Sequence, residues 1–104
     1  MTPREKLGLI IGDANKQYSR IQQILTRAKN NPSNLSYSDK SEIKELASQF
    51  LINLNAVTPL IEKDPSLMMA PVPGIEGTVP AFSWMMWSMQ WFDSFERVMK
   101  PVLF

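Results

Sequence analysis

A chain of 104 residues, 44% hydrophobic and 20% charged, has room for one small domain and is too apolar to stay disordered. Eleven Lys and Arg against ten Asp and Glu leave a net charge of +1, which gives a nucleic-acid partner no basic field to read. Cysteine and histidine are both absent, which excludes disulfides, thiolate metal sites and cysteine nucleophiles, and removes the commonest general base.

The first helix is announced by Thr2-Pro3-Arg4-Glu5: a hydroxyl cap, a proline at the first helical position and a glutamate three residues after the cap. Leu7, Ile11, Ala14, Tyr18, Ile21, Leu25 and Ala28 then alternate at spacings of four and three, a heptad seam that Ile10 and Ile24 widen. Asn30-Asn31-Pro32 stops it. Gly8 and Gly12 share one face and predict close helix packing, by the chain's own third helix or connector, or by a second chain. Lys16, Arg20, Arg27 and Lys29 fall on the solvated side.

Residues 31–38 form a polar loop, and Ser38 or Asp39 is expected to cap a second helix, with Glu42 completing a capping box. Its seam is Ile43, Ala47, Phe50, Leu54, Val57 and Ile61, interrupted at Pro59, where a kink or a fresh start is expected. Two helices of matched period joined by a short loop predict an antiparallel hairpin. In that hairpin Ile21 and Leu25 should meet Phe50 or Leu54.

The composition changes after Asp64: residues 1–64 hold 16 of the 21 charges, and Glu76 is the only charge between Pro65 and Phe92. Pro65, Pro71, Pro73, Pro80, Gly74 and Gly77 argue against regular structure over residues 65–79 and for an extended apolar connector. A third helix should run from about Pro80 to Lys100, leaving Val102, Leu103 and Phe104 as an apolar tail. Trp84, Trp87, Trp91, Phe95, Val98 and Val102 make one stripe on it, and Met85, Met89, Phe92, Met99 and Leu103 make a second beside it. The expected fold is therefore all-α and a single small helical domain over residues 1–104. Its parts are a long antiparallel hairpin (1–64), a Pro-rich connector (65–79) and a Trp/Met-rich helix with its tail (80–104).

Apolar side chains nearly encircle the first turns of that helix, more than a two-helix hairpin can cover. Burying one of them stabilises by roughly 1.5–3 kcal/mol, so a surplus left outside points to a partner. Trp84, Trp87, Trp91, Phe92 and Phe95, with Met85 and Met89 around them, are the expected partner interface. The function expected is a non-enzymatic structural or adaptor subunit, for example of a virion or another large complex, binding a protein partner or its own copies. No catalytic, cofactor or metal site and no nucleic-acid contact is expected. Insertion of the Trp/Met helix into a lipid surface is the alternative; the charge-free run over residues 77–92 is too short to span a bilayer. A small ligand-binding or enzymatic domain with a Trp-lined cavity is the third, and two carboxylates facing the aromatics would favour it. Residues 7–11 are too short for a secretory signal, so the default location is the cytoplasm or an assembly.

Overall fold

The computed structural model describes residues 1–103 and is an all-α fold of three helices. Helix α1 spans Pro3–Arg27; the Thr2 hydroxyl accepts from the Glu5 amide and the Glu5 carboxylate accepts from the Thr2 amide, which closes the expected capping box. Its end is a Schellman turn: the Asn30 amide donates to the Leu25 carbonyl at 2.8 Å and the Lys29 amide to Thr26 at 2.9 Å. Lys29 and Asn30 take φ of 57° and 55° there, the left-handed conformation in which a side chain is crowded.

Helix α2 spans Tyr37–Lys63 and starts earlier than expected. Ser36 is the cap and Asp39 sits three residues inside it, so the box is Ser36 with Asp39 rather than Asp39 with Glu42. Pro59 neither ends nor restarts the helix. It lies on the exposed side, where water can satisfy the carbonyl that loses its amide partner. Every seam position of α2 is buried, and on α1 Leu7, Ile11, Ala14, Ile21 and Ala28 are buried, with Ile24 taking the deeper place that the period assigns to Leu25.

The tight reversal sets the hairpin register. Arg20 stands opposite Glu42, and Gln17 opposite Gln49 and Asn53. Ile21 accordingly shares a cluster with Ile43 and Ala47, while Phe50 and Leu54 belong to a second cluster with Leu7, Ile11 and Ala14. The expected meeting of Ile21 and Leu25 with Phe50 or Leu54 is thus off in register, because α2 begins sooner after the turn.

The connector is ordered, contrary to the extended segment expected. Asp64 caps a short 3-10 helix over Pro65–Met69, and β1 (Pro71–Pro73) pairs antiparallel with β2 (Thr78–Pro80), Val72 opposite Val79. Three-residue strands tolerate prolines because they need few ladder hydrogen bonds. The turn between them needs glycine: the Gly74 amide donates to Gly77, a Cβ at Gly74 would lie 2.6 Å from the Gly77 carbonyl oxygen, and Gly77 has φ of +133°. Leu67, Ala70 and Val72 from this region join the core.

Helix α3 spans Ala81–Leu103 and passes through Pro101, so the tail expected after Lys100 is one more helical turn, with Leu103 buried; Phe104 lies outside the described residues. The buried line of α3 runs Ala81, Trp84, Ser88, Phe95, Met99 and Leu103. Trp91 and Phe92 straddle that line and pack against both core clusters, joining them. Val98, placed in the Trp stripe by spacing, is 63% exposed.

Candidate functional site

The expected interface residues of α3 divide by depth. Trp84 is 1% exposed and Phe95 9%; Trp87, Trp91, Phe92 and Met85 are half-buried against the core. Only Met89 stands outside. Tyr18 from α1 and Phe50 from α2 explain the difference. Tyr18 meets Trp87 and Trp91 edge-on with centroids 4.9 and 4.8 Å apart, and Phe50 meets Trp91 edge-on at 5.0 Å. Such pairs are favoured because the positive edge of one ring faces the negative face of another. The rings therefore pack against the chain's own helices, and Trp84 offers no surface to a partner.

The apolar surplus exists, but on different residues. Phe82, Met86 and Met89 are 46%, 47% and 56% exposed. At spacings of four and three they form one line along the outer face of α3. Asp93 and Arg97 continue that line as an ion pair across one turn, so the apolar strip ends in a neutral charged pair. Sequence spacing could not separate this strip from the Trp stripe, because both are apolar and neighbouring.

A second feature was not anticipated. Trp84 Nε1 donates to Asn15 Oδ1 at 2.8 Å, and Asn15 Nδ2 donates to the Pro73 carbonyl at 2.8 Å. One amide thereby ties α1, α3 and the β-hairpin together, and its orientation is fixed: indole can only donate and a proline carbonyl can only accept. The sole hint in the sequence is a polar Asn beside Ala14 on the inner face of α1. Next to this junction an open cleft of about 470 Å³ is lined by Tyr18, Ile75, Glu76, Val79, Ser83, Trp84 and Trp87 among others. It presents one carboxylate to the aromatics, not the two that would favour an enzyme.

Gly8 and Gly12 do not mark a close packing site within the chain. A Cβ at either would meet nothing within 4 Å, so neither α3 nor the connector presses on that strip. Of the basic residues of α1, Arg20 forks onto both oxygens of Glu42 at 2.7 and 3.0 Å, and Arg27 reaches Asp39 at 3.8 Å. The hydrogen bonds from Arg20 hold the Glu42 carboxyl below its ordinary pKa and raise that of Arg20. These pairs clasp the flank of the hairpin next to its turn. Among the described residues no cluster of three acidic side chains could hold a metal ion, and no helix is long and apolar enough to cross a membrane.

No family model matches the sequence, and no significant similarity links it to a curated protein or to a solved structure.

Proposed function

We propose that the protein is a non-enzymatic adaptor or structural subunit that holds a protein partner, another copy of itself or a different chain, on the outer face of α3. The observation that carries this reading is the half-exposed line of Phe82, Met86 and Met89. Three large apolar side chains in register on one helix face form the kind of patch that marks an interface. The Asp93–Arg97 pair that closes the line has no net charge. An anionic lipid surface is usually met by Lys and Arg along the polar face, so a protein suits this strip better.

A photo-crosslinking amino acid tests the reading. Placed at Met86 in the producing cell, it should join the chain to a protein; placed at the exposed Asp13 on α1, it should not. Equal crosslinking at both positions, or adducts mainly with lipid at Met86, would contradict the proposal.

A further inference from the structure

The cleft beside Asn15 has a chemistry separate from the outer strip of α3. Its walls are aromatic: Tyr18 from α1, with Trp84 and Trp87 from α3. Trp84 is committed to the core and to Asn15, whereas Trp87 is half-buried and lends the cleft its open indole surface. Its rim carries Glu76, held at the tip of the glycine-bounded turn, and Ser83 in the first turn of α3. That turn is not loose: the Gly74–Gly77 hydrogen bond closes it, and the Asn15–Pro73 bond anchors it to α1. The Glu76 carboxylate, the Tyr18 hydroxyl and the Ser83 hydroxyl make no hydrogen bond or ion pair with any other described residue. Glu76 is also the single charge in the stretch from Pro65 to Phe92, and it lines the same cleft as the aromatic walls.

We propose that this cleft binds a primary alkylammonium group. An aromatic wall attracts a cation through the negative face of its rings, and a carboxylate at the rim supplies the counter-charge. An ammonium has three N–H donors and no acceptor, and Glu76, Tyr18 and Ser83 among the lining residues carry oxygen acceptors. The apolar lining from Ile75 and Val79 suits the alkyl stem behind the charge. A free alkylamine and a lysine side chain of another protein share this chemistry.

The test is a titration of the whole protein followed by NMR at constant ionic strength, since salt screens an exposed carboxylate. The probes are butylammonium, neutral butanol, and an N-acetyl-lysine amide with both backbone ends blocked. Saturable shifts are expected at the Trp87 indole and at the amides of Glu76, Gly77 and Ser83. Butylammonium should bind about tenfold tighter than butanol, and Glu76→Gln should remove most of that advantage while the Trp84 indole resonance stays in place. A blocked lysine binding tighter than butylammonium identifies a protein side chain as the source, and the reverse order identifies a free amine. Equal binding of butanol, unchanged affinity in Glu76→Gln, or shifts that never saturate would each overturn the proposal.

Discussion

The α1–α2 hairpin and the contact of α3 with it are two solutions to the same packing problem. In the hairpin, mostly aliphatic side chains repeat on a regular seam, polar pairs clasp its flank, and the two helix backbones lie close together. Across the second contact, five large rings from α3 and two from the hairpin interlock, and few backbone atoms come near. The first surface is specified by period, the second by shape. Regular seams tolerate exchange of one aliphatic for another, whereas a ring cluster depends on each ring's orientation and on the polar atoms at its edges.

The largest effect is expected at Trp84. Trp84→Ala should destabilise the fold by about 3–5 kcal/mol, because it empties a closed site and orphans Asn15. Met86→Ala, two residues along the same helix, should change stability by less than about 0.5 kcal/mol. Chemical denaturation of both variants would erase the distinction between the inner and outer faces of α3 if the losses were equal.

Asn15→Leu comes next. It keeps a side chain of similar size but leaves the buried Trp84 N–H without a partner and the exposed Pro73 carbonyl to water, a loss of about 1–3 kcal/mol. Its signature should be local as well: faster amide exchange in β1 and β2 than in the α1–α2 seam. Uniform acceleration through all three helices would show that Asn15 supports the whole fold rather than the junction.

The smallest effect belongs to the hairpin's electrostatic clasp. Glu42 is held below its ordinary pKa by Arg20, so its contribution is present above the usual glutamate range and lost as pH falls through the lowered folded value. Glu42→Gln should therefore cost a little stability near neutrality, less at high salt because the pair is about 40% exposed, and nothing in acid. A difference that grows on acidification would invert the assigned cause.

The hairpin was legible because its apolar residues recur at a steady four-and-three spacing, with few others, such as Leu9 and Ile52, outside the seam. The α1 cap, the α2 seam and the end of α1 follow from spacing and capping chemistry, which act within a few residues. The register of Ile21 was not, since it depends on where Ser36 restarts the chain, and Ser36, Ser38 and Asp39 are all competent caps. The β-hairpin was hidden behind prolines that forbid long strands but permit short ones. On α3 the obstacle was excess: where Trp, Phe and Met occupy nearly every direction, period cannot say which face is inside. The buried line runs through Ser88, a serine that satisfies its hydroxyl on the Trp84 carbonyl at 2.6 Å and so sits in the core without penalty. The expected set consequently included rings that are buried, Trp84 and Phe95, and left out the exposed Phe82 and Met86.

Hydrogen exchange at the three tryptophan indoles, read one by one in dilute protein, tests most directly whether the aromatic face of α3 belongs to the chain's own core. Trp84 Nε1 is buried and bonded to Asn15, while the indoles of Trp87 and Trp91 have no hydrogen-bond partner among the described residues. Slow exchange is expected at Trp84, persisting on dilution, and fast exchange at the other two. Rapid exchange at all three, or protection of Trp84 that vanishes on dilution, would mean that the cluster is held together by a partner and not by the hairpin.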